Sequence, residues 1–89
     1  MTPTISVIVV TYNQEDTIAR TLDSILAQRC HAPIEIVIGE DGSTDGTRLV
    51  CQQYVGRYSD KIRLMPQKPN KGVVNNYMDC LLAARGTFI

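Results

Sequence analysis

The sequence has no excess of either charge and no long apolar run, and each absence excludes a class of protein. Lys and Arg together number nine, as do Asp and Glu, so the net charge is zero. Without a basic excess the chain has no broad field to attract nucleic acid or an anionic membrane, and we expect no nucleic-acid partner. The apolar runs are far too short to span a bilayer. The amino terminus lacks the charged region and cleavage site of a signal peptide.

Cysteine and histidine are also scarce. Cys30, Cys51 and Cys80 are odd in number and widely spaced, and no Cys-x-x-Cys occurs. This pattern argues against a disulfide framework and a zinc site, so we expect free thiols in a reducing compartment. The single histidine, His31, has no catalytic partner in sequence and is expected on the surface.

What the sequence does contain is an alternation of apolar strands and helices. Crossovers of this length imply a parallel sheet with right-handed connections, so the predicted fold class is three-layer α/β/α with a mainly parallel sheet. The last strand signal runs to the end of the chain, and we expect residues 1–89 to be the amino-terminal half of a larger domain. Strands are predicted at Ile5–Val10, Ile34–Ile38, Ile62–Met65 and Thr87–Ile89, and helices at Glu15–Gln28, Asp45–Tyr58 and Val74–Arg85.

The loop between Gly39 and Gly46 carries the strongest functional signal. It follows an apolar strand, and α/β sheets bind ligands at the carboxyl ends of their strands. Asp41 could accept hydrogen bonds from an imide N–H or from ribose hydroxyls. Turn chemistry explains the same residue types equally well, and Ser43 or Thr44 is expected to cap the next helix with Asp45 in its first turn.

A calcium loop is the third interpretation of this segment. Asp41, Ser43, Asp45 and Gly46 match the first, third, fifth and sixth positions of an EF-hand. Gln52 stands where the bidentate Glu should be, and the preceding segment is β-branched rather than helical. We therefore reject a calcium site.

Two further positions are candidates. Tyr12 follows the first strand, where its ring either stacks on a planar base or packs at the strand edge. Lys71, next to Gly72 at the start of the third helix, either binds a phosphate or base carbonyl or is a solvated loop residue. Neither GxGxxG nor GxxxxGK[ST] occurs, so a dinucleotide-binding Rossmann motif and a P-loop are both absent.

Together these segments resemble the nucleotide-binding half of family 2 glycosyltransferases, an inverting group with the Rossmann-like GT-A fold. The resemblance spans the chain and is carried by SVIVVTYN, EIVIGEDGSTDGT, NKGV and AARGTFI. It implies that Tyr12 stacks near the base of a nucleotide-sugar donor, usually a UDP-sugar, and that Asp41 hydrogen-bonds the base. Val10 then contacts the nucleotide, and Lys71 and Gly72 border the base pocket.

The resemblance also implies a reaction that these residues cannot complete alone. Family members transfer the sugar to a glycan or other acceptor by direct displacement, with Mg²⁺ or Mn²⁺ neutralising the leaving diphosphate. The family's Asp-x-Asp metal motif and catalytic base would follow Ile89, so we expect no catalytic or metal-binding residue here. Glu40 replaces a common Asp, and its role stays open. The usual Arg of the third helix is missing near Asn75.

Two other functions stay open: a non-catalytic nucleotide-binding module, and an α/β interaction domain whose loop acids cap helices. A half-domain leaves sheet edges and helix faces uncovered, so we expect self-association. We expect a cytoplasmic location, with any membrane association provided by segments outside these 89 residues.

Overall fold

The computed structural model describes residues 5–28, 33–66 and 72–86, which form three strands and three helices in alternation. The predicted fourth strand at 87–89 lies outside the described residues, as do Cys30, His31 and Lys71. No helix in the described part of the chain is long and apolar enough to cross a membrane. The elements are β1 (Ile5–Thr11), α1 (Ile18–Ala27), β2 (Ile34–Glu40), α2 (Thr47–Arg57), β3 (Ile62–Leu64) and α3 (Val73–Ala83).

The three strands form a parallel sheet in the order β1-β2-β3, which confirms the predicted α/β class. Val7 of β1 pairs with Ile36 of β2, and Ile36 pairs with Ile62 of β3. Because the strands are parallel, their carboxyl ends meet at one edge of the sheet. That edge carries Thr11 and Glu40, which lie opposite each other in the register.

One face of the sheet packs against α1 and α2, and this face holds the main apolar core. Alternate residues of a strand point to opposite faces, so Ile36 and Ile38 share this side. They pack with Leu22 of α1 and Tyr54 of α2. The Tyr54 hydroxyl donates to the Asp23 carboxylate at 2.6 Å and so joins the two helices. The buried members are Val9, Ile18, Leu22, Ile36, Ile38, Cys51, Tyr54 and Ile62.

The opposite face of the sheet is covered by α3, which completes three layers. Among the side chains of α3 that the structure describes, Cys80 and Asn76 are buried, and Asn76 Nδ2 donates to the carbonyl oxygen of Gly39 at 2.6 Å. A Cβ at Gly39 would overlap the Asn76 amide oxygen and the Cys80 sulfur. Only glycine at this position therefore lets α3 lie so close to β2.

Most of the apolar residues that predicted α3 do not pack against the sheet. The helix itself is confirmed, but Val74, Met78 and Leu82 lie on its outward face, with Leu82 84% exposed. Periodicity identified a helix without showing which side the sheet covers, since the buried side carries Asn76 and Cys80. The helix ends at Ala83, just before the Arg85-Gly86 pair predicted to end it.

Both of the other helices begin later than predicted. Glu15 and Asp16 precede α1 instead of occupying its first turn, because residues 15–17 form a separate turn. Asp45 likewise precedes α2, whose first residue is Thr47. The cause lies in the loops: the backbone N–H of Glu15 donates to Asp45 Oδ2 at 3.3 Å, and that of Gly46 donates to Glu15 Oε1 at 2.9 Å.

Candidate functional site

An open cleft of about 350 Å³ lies where the carboxyl ends of β1 and β2 meet the amino terminus of α3. Four of the five residues predicted to bind a nucleotide line it, and the fifth, Lys71, lies outside the described residues. The topology explains this convergence, because parallel strands bring segments thirty residues apart to one edge. The lining residues are Val10, Thr11, Tyr12, Gln14, Asp41, Gly72 and Asn76.

Asp41 is the carboxylate of this cleft, and its backbone and side chain connect all three bordering elements. Its N–H donates to the carbonyl oxygen of Thr11 at 2.9 Å, which continues the β1–β2 pairing by one residue. Its Oδ2 accepts a hydrogen bond from the N–H of Gly72 at 3.0 Å. With only 7% of its surface exposed, Asp41 is held rather than freely solvated.

Tyr12 and Val10 form the apolar part of the lining. Tyr12 is 45% exposed, so its ring is accessible at the rim instead of being packed at the strand edge. Val10 is partly buried and pairs with Gly39 of β2. A partly open aromatic face beside a held carboxylate suits a planar ligand with hydrogen-bond donors on its edge.

Three residues of the lining escaped the sequence analysis, namely Thr11, Gln14 and Asn76. Thr11 Oγ1 donates to Gln14 Oε1 at 2.8 Å, which joins the end of β1 to the segment that leads into α1. Asn76 lies one helical turn after Gly72, and its N–H donates to the Gly72 carbonyl at 3.1 Å. The available signal was its spacing, since Asn76 lies one helical turn from both Gly72 and Cys80 in the sequence.

Asn13 connects the two loops at the mouth of the cleft. It adopts the left-handed conformation with φ of 50°, which asparagine tolerates better than most residues. Its N–H donates to Ser43 Oγ at 2.8 Å, and its Oδ1 accepts from the Thr44 N–H at 2.8 Å. The predicted capping of α2 by Ser43 or Thr44 is therefore wrong, because both residues bind Asn13 instead.

The start of α2 is supported by Asp45 from outside the helix. Asp45 Oδ1 accepts hydrogen bonds from the Thr47 N–H at 2.9 Å and from the Thr47 hydroxyl. The hydrogen bonds from Thr47 outweigh the desolvation of Asp45 and hold the pKa of its carboxyl below the ordinary value of 3.8. Asp45 thus supports the start of α2 from outside the helix, whereas Asp41 lines the cleft.

Glu40 has a different environment from Asp41, although the two are adjacent. Glu40 is 4% exposed, and its side chain lies on the α1–α2 side of the sheet, away from the cleft. There it accepts hydrogen bonds from the N–H groups of Gly42 and Ser43 and pairs with Arg48. Burial, reinforced by the negative charge of Glu40, raises the pKa of the nearby Cys51 thiol to about 11.

A second buried carboxylate, Glu35, lies at the amino end of β2. Its Oε2 accepts from the Ser6 hydroxyl and from the Arg85 N–H, both at 2.6 Å. Its Oε1 lies 3.2 Å from Arg63 Nε. Burial raises the pKa of Glu35, but these hydrogen bonds and the two guanidinium charges outweigh it, so the pKa lies below its ordinary value of 4.5. This cluster fixes the carboxyl end of α3, far from the cleft.

The cleft does not fit a metal ion. No group of three or more metal-ligating side chains occurs among residues 5–28, 33–66 and 72–86. Asp41 is the single carboxylate in the cleft lining, and Glu40 is turned away toward backbone N–H groups and Arg48. Cys51 and Cys80, the two described cysteines, are free and buried.

A parallel α/β domain with a polar cleft at the carboxyl ends of its strands is the architecture that binds nucleotides and related ligands. The family profile described as Glycosyl transferase family 2 matches residues 6–89, and the chain belongs to that family. The family resemblance seen in the sequence is thereby confirmed.

Two named relatives agree with this assignment. EpsE of Bacillus subtilis is 40% identical over 87 residues, covering 98% of this chain and 31% of EpsE. TuaG of the same organism is 36% identical over 87 residues, covering 98% of this chain and 34% of TuaG. Both carry the name glycosyltransferase. The chain thus spans about a third of these relatives' length.

Among solved structures, the mannosyltransferase PcManGT of Pyrobaculum calidifontis superposes with a TM-score of 0.80 and 28% identity. The match covers 94% of this chain and 25% of PcManGT. That structure is a complex with GDP-Man and Mn²⁺. It supports the GT-A architecture described above.

Proposed function

We propose that this chain holds the nucleoside part of a nucleotide-sugar donor for a glycosyltransferase. The observation that carries the proposal is the convergence of Tyr12, Asp41 and Gly72 on one cleft at the carboxyl ends of β1 and β2. The complex of the related mannosyltransferase with GDP-Man makes a nucleotide-sugar donor the favoured ligand class. UDP-sugars are the specific donors that we expect, and the sugar is expected to pass to a glycan or other acceptor.

In this proposal each side chain has a distinct role. The Tyr12 ring, accessible at the rim, stacks on the base, and the Asp41 carboxylate accepts a hydrogen bond from an N–H on the base edge. A hydrogen bond to an ionised acceptor contributes about 1.5–3 kcal/mol. Because Gly72 already donates to Asp41, the carboxylate orientation is set before the ligand binds, which lowers the cost of ordering it.

We further propose that the 89 residues alone bind the donor without transferring the sugar. The parent reaction is expected to use Mg²⁺ or Mn²⁺ to neutralise the leaving diphosphate. The sequence contains no Asp-x-Asp, and the described residues offer no metal site. Steady release of UDP from a UDP-sugar in the presence of Mn²⁺ by the purified chain would contradict this part of the proposal.

The binding proposal is tested by isothermal titration calorimetry of UDP and GDP into the 89-residue chain. Asp41→Asn keeps the size of the side chain but removes its charge, and we expect UDP affinity to fall about tenfold or more. The matched control is Asp60→Asn, the same change at an exposed turn before β3, where we expect no effect. Circular dichroism establishes that both variants fold.

Each outcome has a clear meaning. Weaker binding by Asp41→Asn with an unchanged control supports the assignment. Equal affinity for wild type and Asp41→Asn refutes the contact with the base. Absence of UDP and GDP binding by the folded wild-type chain refutes the nucleotide site and favours the α/β interaction domain instead.

A cytoplasmic location belongs to the same proposal, supported by the two free buried thiols.

A further inference from the structure

Glu40 is a buried carboxylate next to the cleft for which the ligand-binding proposal has no use. It is the last residue of β2, and it is only 4% exposed. The side chain does not line the cleft, although it immediately precedes Asp41, which does. An ionised group is costly to bury unless it is fully paired, so its partners indicate what it does.

The partners of Glu40 are the backbone of the loop and one arginine. Oε1 accepts from the Ser43 N–H at 2.6 Å, and Oε2 accepts from the Gly42 N–H at 3.1 Å. Arg48 Nη1 lies 3.6 Å from Oε2, and Arg48 Nη2 donates to the Met65 carbonyl at 3.1 Å. The carboxylate thus binds the loop on one side and is anchored through α2 to the end of β3 on the other.

These contacts constrain the direction in which the chain leaves β2. Two successive N–H groups can reach one carboxylate only if the backbone folds back directly after Asp41. Gly42 permits this turn with φ of 72°, a conformation that side chains disfavour. Asp41 lies in sequence between Glu40 and the two residues, Gly42 and Ser43, whose N–H groups bind the Glu40 carboxylate. The turn held by Glu40 therefore fixes the backbone that carries the Asp41 side chain.

We propose that Glu40 is a positioning residue for the nucleotide site, acting through the backbone of the Asp41–Ser43 loop with Arg48 as its charge partner. This inference rests on the proposed nucleotide-binding function. Both acceptor oxygens of Glu40 are used, since each accepts from a different N–H group of the loop. Glutamine presents one acceptor oxygen and an NH₂ group that opposes a backbone N–H.

The test compares two buried glutamates of the same strand. Glu40→Gln is expected to weaken UDP affinity about tenfold, because a charged hydrogen bond to the loop is lost. Glu35→Gln is the matched control, since Glu35 is also buried and paired with arginine but lies at the other end of β2. We expect it to lower stability without changing UDP affinity.

The second readout is the ¹H–¹⁵N spectrum of the ligand-free chain, which reports the two loop hydrogen bonds directly and which a general loss of stability would leave in place. Amide protons bound to a carboxylate resonate downfield. We expect those of Gly42 and Ser43 to shift upfield in Glu40→Gln and to stay in place in Glu35→Gln.

A double variant addresses the risk that Glu40→Gln fails to fold. Glu40→Gln leaves Arg48 as a partly buried charge without its carboxylate partner, which destabilises. Adding Arg48→Met removes that charge and is expected to restore stability while UDP affinity stays low. Normal affinity in a folded Glu40→Gln or double variant refutes the positioning role. Absence of UDP binding by the wild type refutes the nucleotide site itself, which is a different failure.

Discussion

The carboxylate of Asp41 accepts a hydrogen bond from the N–H of Gly72 at 3.0 Å, across 31 residues of sequence. This contact joins the end of β2 to the start of α3 and so closes one wall of the cleft. Gly72 has φ of 86° and ψ of 157°, a region open almost only to glycine. The contact therefore depends on both a strand-end acid and a glycine that no local pattern connects.

Gly72→Ala should separate backbone conformation from steric space. Apart from its chain neighbours, no described residue has an atom within 4 Å of a Cβ built at Gly72, so we expect the effect to come from the backbone. We expect a loss of about 1–3 kcal/mol in the free energy of unfolding, or a turn that withdraws the N–H from Asp41. Urea denaturation measures the first, and UDP titration measures the second. Wild-type values in both experiments would contradict the importance of this conformation.

Gly39→Ala should destabilise the contact between α3 and the sheet. The added methyl group would overlap the Asn76 amide and the Cys80 sulfur, and overpacking of this kind costs about 1–3 kcal/mol. Gly56→Ala is the control, since Gly56 lies in α2 and, beyond its own helix backbone and chain neighbours, no described residue has an atom within 4 Å of the new methyl group. There alanine should stabilise by about 0.5–1 kcal/mol. Opposite shifts in the urea midpoint are expected for the two variants.

Glu35 should make stability depend on pH in the acid range. Its folded-state pKa lies below the ordinary value of 4.5, so the unfolded chain binds more protons between the two values. The contribution is complete above that ordinary value and is lost as the pH falls through the folded-state pKa. Urea denaturation of Glu35→Gln from neutral to acidic pH should show lower stability at pH 7 and a smaller loss on acidification.

Ser6→Ala provides an intermediate case for the same measurement. It removes the hydroxyl that donates to Glu35 at 2.6 Å but leaves both arginines in place. We expect a pH dependence weaker than that of wild type and stronger than that of Glu35→Gln. If Glu35→Gln retains the full acid sensitivity of wild type, another carboxyl is responsible.

The outward face of α3 should drive self-association of the 89-residue chain. Val74, Met78 and Leu82 follow one another at four-residue intervals, with exposures of 70%, 50% and 84%. Leu82→Glu should weaken association about tenfold or more, because a charge would have to be buried. Leu49→Glu is the control on α2, where Leu49 is 60% exposed. Light scattering that shows a monomeric wild-type chain at high concentration would contradict this prediction.

The fold and half of the site were readable because they depend on local pattern. Apolar runs of β-branched residues predicted β1 and β2, and the crossover lengths predicted their parallel pairing. Parallel pairing then places Tyr12 and Asp41 at the same sheet edge. The chemistry of Asp41 and the accessibility of Tyr12 were both left open by the residue types. The structure favours ligand access for each, and their binding role stays a prediction.

The predicted starts of α1 and α2 were wrong because the residues near them have partners far away in the sequence. Glu15, Ser43 and Asp45 are all good helix-start residues, and a local rule assigns them to the nearest helix. In the folded chain Glu15 bonds with Gly46 and Asp45, and Ser43 bonds with Asn13. Each partner lies about thirty residues away, so no window of sequence contains both members of a pair.

The amino-acid sequence by itself determined the alternation of strands and helices, the parallel sheet, the edge at which ligands meet it and the family. Periodicity and crossover length are local properties, so they survive without tertiary contacts. The tertiary structure alone decided how the two adjacent acids divide their work. Asp41 continues the pairing of β2 by one residue, so its side chain and that of Glu40 point to opposite faces. The packing of α3 made the face of Asp41 the cleft. The packing of α2, which carries Arg48, made the face of Glu40 the buried one.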